Sequence, residues 1–211
     1  EKVACALANN KAIGWMQGRM EFGPRALGGR SIIADPRSPL MQKQLNLKVK
    51  FREDFRPFAP SILRKDVFEW FEHNSDSPYM LLVADVKKDK RCKMSSEEEA
   101  LFGINKLDIP HSIVPAITHV DYSARIQTVH KETNPLYYAL ISKFKEKTGC
   151  PLVVNTSFNI RGEPIICNPV DAFRCFMGTE LDVLAIGNYF LIKEDQDKAL
   201  KEDYEDIYEL D

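Results

Sequence analysis

The sequence lacks the patterns that define several common classes of protein. None of its apolar runs approaches the roughly 20 residues that span a bilayer, and its first residues, EKVACALANNK, lack the charged start and apolar centre of a signal peptide. Its five cysteines include no C-x-x-C pair, and its four histidines are scattered. We therefore expect a soluble, cytoplasmic protein with reduced thiols, no metal site of its own and no membrane partner.

Two kinds of catalytic signature are also absent. Neither the phosphate-loop pattern G-x-x-x-x-G-K-[ST] nor the dinucleotide pattern G-x-G-x-x-G occurs. No histidine has a serine or carboxylate partner that spacing can identify, so the sequence does not predict an acyl-enzyme. The chain is instead rich in Arg, Lys and Asn, which suits catalysis by positioning and electrostatic stabilisation.

The composition is that of a globular protein with a core, because 44% of the residues are hydrophobic and 28% are charged. Helical and strand-like segments alternate, which favours a single α/β unit over residues 1–193. Predicted helices cover residues 1–8, 40–49, 65–72, 135–147 and 168–177. Predicted strands cover residues 12–17, 31–34, 58–63, 80–86, 123–129, 151–154 and 183–192. Residues 87–111 are predicted to form a surface excursion with a disordered loop.

The charges are divided along the chain although the net charge is only -2. Residues 194–211 carry nine acids and two lysines, which predicts a solvated acidic tail or terminal helix. Residues 17–65 carry eleven bases and four acids. The basic charge is therefore concentrated near the amino end.

The first basic motif is EFGPRALGGRS, residues 21–31. Gly23 before Pro24 suits the start of a helical turn, whose free N–H groups attract an anion, and Arg25 can add a bidentate contact. An alternative is a purely structural turn in which Arg25 and Arg30 pair with Glu21 and Asp35. The motif predicts an anion site unless those pairs form.

The second basic motif is NLKVKFREDFRPFAP, residues 46–60. If this segment is extended, Lys48, Lys50 and Arg52 share one face, and Arg56 lies just before a proline that keeps the backbone extended. Such a stripe of cations beside aromatic residues can bind polyphosphate or single-stranded nucleic acid. It can also be a solvated edge strand whose lysines prevent pairing with other chains.

The third motif, NTSFNIRGEP at residues 155–164, follows an apolar strand directly. Its polar groups should therefore emerge at the carboxyl end of a strand, where open α/β sheets bind ligands. Asn155, Ser157 and Asn159 offer donors and acceptors, and Arg161 can clamp an anion. The alternative is a loop of side-chain-capped turns. Arg125, on a predicted strand, carries only a weak signal of its own.

Together, four strings resemble one protein family: GRMEFGPRALGGRSIIADPR (18–37), LNLKVKFREDFRPFAPSIL (45–63), HVDYSARIQTV (119–129) and NTSFNIRGEPIICNPVDA (155–172). They resemble the C-terminal domain of O-carbamoyltransferases of the nodulation, cephamycin and tobramycin type. This resemblance implies a twisted mixed sheet flanked by helices, similar to threonylcarbamoyl-adenylate synthases. It also implies that carbamoyl-adenylate forms from ATP and carbamoyl phosphate, for later transfer to a hydroxyl of a sugar or natural product.

By motif, the resemblance implies that Lys50 neutralises the reacting phosphates and that Arg161 holds the carbamoyl-adenylate. It implies substrate binding by six further residues: Arg25, Arg56, Arg125, Asn155, Ser157 and Asn159. The expected cofactor is ATP with Mg²⁺. In the family, an N-terminal actin-like ATPase-type domain performs the transfer and holds iron or a similar metal, and that domain is absent from this chain.

Two other functions remain open at this point. The chain could be an RNA-binding module with a basic concave surface, which predicts a steep dependence of binding on salt. It could also be a non-catalytic domain that binds a partner through the apolar side chains of Phe68, Trp70 and Phe71. The carbamoyltransferase interpretation instead predicts selective binding of small phosphorylated substrates.

Overall fold

A computed structural model describes residues 1–101 and 109–201 as a mixed α/β fold. Its strands are β1 (Ile13–Met16), β2 (Arg30–Ala34), β3 (Ala59–Leu63), β4 (Leu82–Asp85), β5 (Ser123–Val129), β6 (Leu152–Ser157), β7 (Val183–Ile186) and β8 (Tyr189–Ile192). Its helices are α1 (Lys2–Ala8), α2 (Met41–Lys48), α3 (Val67–Trp70), α4 (Ser96–Glu99), α5 (Pro135–Thr148) and α6 (Pro169–Gly178). No helix in these ranges is both long and apolar enough to cross a membrane.

The strands form one sheet in the order β4-β5-β3-β6-β2-β1-β7-β8. The pairs β3–β5 and β1–β7 are parallel, and the other neighbours are antiparallel. Helix α5 packs against β3 and β6, and α6 packs against β1 and β7. The predicted fold class, a mixed sheet flanked by helices, is therefore confirmed.

The best-defined helix is α5, and its ends follow the sequence. Asn134 caps it by accepting a hydrogen bond from the backbone N–H of Tyr137, Pro135 occupies the first turn, and Gly149 ends it in the left-handed conformation. The side chains of Tyr137, Ile141 and Phe144 are fully buried against the sheet. This amphipathic face joins α5 to the core of the protein.

Three predicted elements differ in extent. The strand predicted to end at residue 154 continues to Ser157, because its last residues pair with β2. The single strand predicted over residues 183–192 is a hairpin, since Gly187 turns the chain with a φ of +53°. The helix predicted over residues 65–72 reaches only Trp70, because Phe71 is extended and forms a bridge with Val86.

The prediction of a helical turn at Gly23 is wrong. The connection between β1 and β2, residues 17–29, contains bends but no helix. In the predicted excursion, Lys88–Lys90 and Ser96–Glu99 form short helical turns, while residues 102–108, on which part of the predicted disordered loop falls, lie outside the described residues. Most of the acidic tail, residues 202–211, also lies outside them.

Gly28 is the point where the β1–β2 connection meets α5. Its φ is +103°, and a Cβ there would overlap the ring of Tyr137, whereas a Cβ on Gly23 would meet nothing within 4 Å. The backbone N–H of Gly28 donates to Ser31 Oγ (3.0 Å), and its carbonyl accepts from Trp15 Nε1 (2.8 Å). The connection is thus held tightly on the sheet.

We expect Gly28→Ala to destabilise the fold more than Gly23→Ala. Both substitutions place a Cβ at positive φ, which costs about 1–2 kcal/mol, but only the first also overpacks a buried ring, which adds roughly 1–3 kcal/mol. Urea unfolding of the two variants measures the difference. Equal losses of unfolding free energy would show that the connection is not packed against Tyr137.

Candidate functional site

Four segments that are far apart in the sequence meet at one end of the sheet. The carboxyl end of β6 lies beside the amino ends of β2 and β3, because both strands are antiparallel to it, and β5 runs parallel to β3. The segments are residues 17–31, 49–59, 123–127 and 155–163, and we call this region the site end. All eight predicted site residues lie on these segments.

Lys50 is the most buried cation of the site end, with only 4% of its surface exposed. Its Nζ lies within hydrogen-bond distance of four oxygens, which belong to the last residue of β6 and to a residue of the loop that follows. These are the carbonyl (2.5 Å) and Oγ (3.3 Å) of Ser157, and the carbonyl (2.8 Å) and Oδ1 (2.8 Å) of Asn159. The ammonium group therefore organises the end of β6.

Burial lowers the pKa of Lys50 to about 7, and the positive charge of Arg52 contributes to this shift. Glu163 and Cys175 act in the opposite direction. Glu163 also shapes the same loop, because its carboxylate accepts from the backbone N–H of Ile160 (2.9 Å). The loop after β6 is thus fixed by Lys50 near its start and by Glu163 near its end.

Three arginines surround one carboxylate beside Lys50. Arg56 pairs with Glu53 (3.1 Å), and the charges of Arg161 and Arg52 also lower the pKa of that carboxyl, which its own backbone hydrogen bond lowers most. The pKa of Arg52 itself is lowered to about 10 by burial and by Arg56. Its Nε donates to Asn46 Oδ1 (2.7 Å). With three cations to one anion, this cluster is electropositive.

Arg25 and Arg125 form a second group of cations. Burial lowers the pKa of Arg125, and the charge of Arg25 lowers it further, so the two guanidinium groups lie near each other. The Nε of Arg125 is buried without a hydrogen-bond partner. Within residues 1–101 and 109–201, neither side chain forms an ion pair.

Asn155 lies beneath the β1–β2 connection and is only 1% exposed. Its Nδ2 lies 2.9 Å from the Ala26 carbonyl, from Ser61 Oγ and from Gln127 Oε1. Gln127 in turn donates from Nε2 to the carbonyl of Leu27 (2.9 Å). The prediction that Asn155 lines the site therefore needs correction: it is buried, and it ties the connection to β3, β5 and β6.

The backbone N–H groups of the first basic motif are already occupied by a carboxylate of the chain. Glu21 Oε1 accepts from the N–H of Leu27 (2.6 Å) and Gly29 (2.7 Å), and more weakly from that of Arg30 (3.4 Å). This internal anion explains why the connection adopts bends in place of a helical turn. It leaves the side chain of Arg25, which is exposed, as the part of the motif that can contact a ligand.

The alternative prediction for this motif, a purely structural turn, also named the wrong ion-pair partners. Arg30 donates to the backbone carbonyls of Gln17, Gly18 and Gly29, and Asp35 pairs with Arg37 (2.6 Å). The cationic stripe predicted for Lys48, Lys50 and Arg52 does not form either. Lys48 ends α2 and is exposed, while Phe51 has a φ of +47°, so the segment turns and does not run extended.

Four polar residues outside the eight predicted site residues contribute to these networks; three are buried and Arg52 is half-buried. Gln127 and Ser61 complete the network around Asn155, and Glu163 and Arg52 flank Lys50. Alternation along β5 places Gln127 on the same face as Arg125, which is a signal that was available in the sequence. The part of Ser61 depends on strand register, which no single segment reveals.

A large cavity of about 830 Å³ lies beside the site end. Its walls include Leu27, Gly28 and Gln127, the start of α5, and residues 76–79. None of the eight predicted residues lines this cavity. The predicted cations therefore lie outside this cavity, although Arg19 of the β1–β2 connection lines it.

Comparisons with known proteins show what this chain is similar to. The family described as Carbamoyltransferase C-terminus matches residues 4–193. An uncharacterised protein of Synechocystis is 58% identical over 97% of this chain and 34% of its own length. Nodulation protein NolNO of Sinorhizobium fredii is 42% identical over 89% of this chain and 25% of its own length.

A relative with a printed activity is 3'-hydroxymethylcephem-O-carbamoyltransferase of Streptomyces clavuligerus, which is 34% identical over 88% of this chain. This chain covers 31% of that enzyme, so it spans only a quarter to a third of the curated relatives described. The solved structure of full-length HypF, in a phosphate- and nucleotide-bound form, superposes with a TM-score of 0.48 and 16% identity. It covers 83% of this chain and 19% of HypF.

The burial of Lys50 predicts how its contribution to stability depends on pH. Its pKa is about 7 in the folded chain and 10.5 ordinarily, so the unfolded chain holds the proton more tightly between these values. The stabilisation by Lys50 therefore increases as the pH rises above 7, by at most about 1.4 kcal/mol per pH unit. The unfolding free energy of the wild type minus that of Lys50→Met should therefore increase from pH 6.5 to 8.5.

Urea unfolding at pH 6.5, 7.5 and 8.5 measures this difference. Lys48→Met is the matched control, because Lys48 is exposed at the end of α2 and should show no such change. A difference that stays constant with pH for Lys50→Met would contradict the burial of the ammonium group.

Proposed function

Because the chain belongs to the family of carbamoyltransferase C-terminal domains, we propose that it forms carbamoyl-adenylate from ATP and carbamoyl phosphate. The observation that carries this proposal is the pair Arg25 and Arg125, which has no ion-pair partner among the described residues and lies at the same end of the sheet as Arg52, Arg56 and Arg161. Neighbouring guanidinium groups without acidic partners repel one another, the burial of Arg125 strengthens that repulsion, and a phosphate group would relieve it.

The proposed chemistry has two steps. Water cleaves carbamoyl phosphate into carbamate and inorganic phosphate. A carbamate oxygen then attacks the α-phosphorus of ATP, the bond to the β-phosphate oxygen breaks, and pyrophosphate leaves with its electron pair. The side chains of the site end act by positioning the phosphates and by offsetting negative charge as it builds on the leaving group.

The residues take different parts in this proposal. Arg25, Arg125 and Arg56 bind phosphate groups, and Arg161 holds the carbamoyl-adenylate. Lys50 and its partners Ser157 and Asn159 form the floor of the phosphate-binding site. Since the ammonium group already donates to protein oxygens, Lys50 contributes its charge more than its hydrogen bonds.

Mg²⁺ belongs to the substrate in this proposal. Within residues 1–101 and 109–201, no group of three His, Cys, Asp or Glu side chains is placed to hold a metal ion. The proposal therefore has the ion arrive on the phosphates of the nucleotide, where it would neutralise part of their charge.

The second half-reaction, transfer of the carbamoyl group to a hydroxyl of a sugar or natural product, is proposed for the longer polypeptide. The curated relatives are about three to four times as long as the part that this chain matches. We place the acceptor site, and any iron or similar metal, in the part of the polypeptide that corresponds to their remaining length.

Calorimetry with ATP and Mg²⁺ tests the role of the uncompensated arginines. We expect Arg125→Gln to weaken ATP binding about tenfold to a hundredfold, because hydrogen bonds between charged groups contribute roughly 1.5–3 kcal/mol. Pyrophosphate release that depends on carbamoyl phosphate should fall with it. Arg64→Gln is the matched control, because Arg64 follows the opposite end of β3 and pairs with Asp76.

Two results would contradict the proposal. Equal weakening by Arg125→Gln and Arg64→Gln would show that only the overall charge matters. Tight binding of an RNA oligonucleotide with a steep dependence on salt, and none of ATP, would favour an RNA-binding module.

A further inference from the structure

Glu163 is a buried acid in the loop that follows β6, and the proposed function leaves it without a part. Only 9% of this residue is exposed. Its Oε2 accepts a hydrogen bond from the backbone N–H of Ile160 (2.9 Å), and the thiol of Cys175 in α6 also bonds its carboxylate. Acidic side chains are seldom this buried unless they are paired, so a nearby cation is expected.

Asn159 connects Glu163 to the buried cation Lys50. Its Oδ1 accepts from Lys50 Nζ (2.8 Å) and from Ser157 Oγ (2.6 Å), and its Nδ2 donates to the backbone carbonyl of Glu163 (2.6 Å). These partners fix the orientation of the amide, because an ammonium group only donates and a carbonyl oxygen only accepts. Lys50 and Glu163 therefore hold the two ends of one side chain.

Among the described groups that act on the charge of Lys50, Glu163 supplies the negative charge. Arg52 opposes the protonated amine by its own positive charge, while Glu163 favours it. Cys175 acts from α6, but burial raises the pKa of its thiol, so it is uncharged at neutral pH. The four oxygens that Lys50 contacts are neutral, and the backbone N–H of Arg161 donates to the Lys50 carbonyl (3.3 Å). Loss of the Glu163 charge would therefore favour the neutral amine.

From these contacts we infer that Glu163 is a positioning residue for the proposed reaction, which holds Asn159 against Lys50 and keeps the amine of Lys50 protonated beneath the phosphates. This inference rests on the proposed function, because it assumes that the charge of Lys50 acts on those phosphates. Glu163 is buried and acts through its two neighbours, so it is not itself a catalytic residue. Since a neutral lysine attracts phosphate far less than a charged one, this acid promotes the binding of anions at the site end.

Glu163→Gln tests this role, because the glutamine carbonyl can still accept from the N–H of Ile160 while the negative charge is lost. Pyrophosphate release that depends on carbamoyl phosphate is measured from about pH 5.5 to 9, with ATP and Mg²⁺ at saturation. We expect its decline at high pH to lie about one pH unit lower in the variant, because a nearby opposite charge raises the pKa of an amine by about that much. The rate should be about tenfold lower above the decline and nearly equal below it.

Two further variants separate the charge of Glu163 from its shape. Glu163→Asp keeps the charge on a shorter side chain, so its decline should stay closer to that of the wild type even where its rate is lower. Glu180→Gln is the matched control, because Glu180 is exposed after α6 and acts on the charge of Lys193. That variant should leave the pH profile unchanged.

NMR titration follows the pair directly and needs no substrate. In the wild type, the Cδ resonance of Glu163 should shift at the same pH as the Nζ resonance of Lys50, about pH 7, because each charge senses the other. In Glu163→Gln, the transition of Lys50 should move about one pH unit lower. The wild-type measurement decides the inference even where a variant does not fold.

The contrary outcomes separate this inference from the proposed function. An unchanged pH profile in Glu163→Gln, a loss of rate that is equal at every pH, or a Glu163 resonance that does not respond to Lys50 would overturn the inference and leave the proposed function intact. A wild type that releases no pyrophosphate at any pH would overturn the proposed function and the part of Glu163 in it.

Discussion

The buried amide of Asn155 is the interaction on which the site end depends. It contacts the β1–β2 connection through the Ala26 carbonyl, and it contacts β3 and β5 through Ser61 and Gln127. The two hydrogens of its Nδ2 are shared among these three acceptors, and Ser61 Oγ also donates to Gln127 Oε1, so the three strands are joined at one buried point. Without this junction, the connection that carries Arg25 would keep its bonds at Gly28 but would lose its hydrogen bond to β6.

This junction allows the sheet to carry an unfavourable arrangement of charge. Lys50, Arg52 and Arg125 all have lowered pKa values, and burial is the main cause in each case. Such desolvated cations destabilise a fold unless something compensates, and at this end of the sheet the acidic partners are few. The hydrophobic core, in which Ile32, Leu152 and Val153 are fully buried, contributes folding free energy that offsets the cost of these buried cations.

Much of the fold could be predicted from the sequence because its signals are local. The cap at Asn134 and the left-handed Gly149 define α5 without reference to the rest of the chain. The site was harder to predict. Alternation of residue types predicted an extended cationic stripe, whereas the backbone turns at Phe51 and Lys50 is buried. Burial of Lys50 depends on oxygens more than a hundred residues away, and no local pattern contains that information.

The charge of the site end bears on specificity. Guanidinium groups recognise phosphate wherever it occurs, so an electropositive surface alone would bind ATP, other nucleotides and RNA with little distinction. Discrimination requires groups that are buried and short of a partner, since an unpaired group penalises every ligand that fails to satisfy it. The Nε of Arg125 is buried without a hydrogen-bond partner, whereas Arg25 is exposed to solvent. Arg125 should therefore contribute more to the selectivity of the site end than Arg25, while both cations contribute to the attraction.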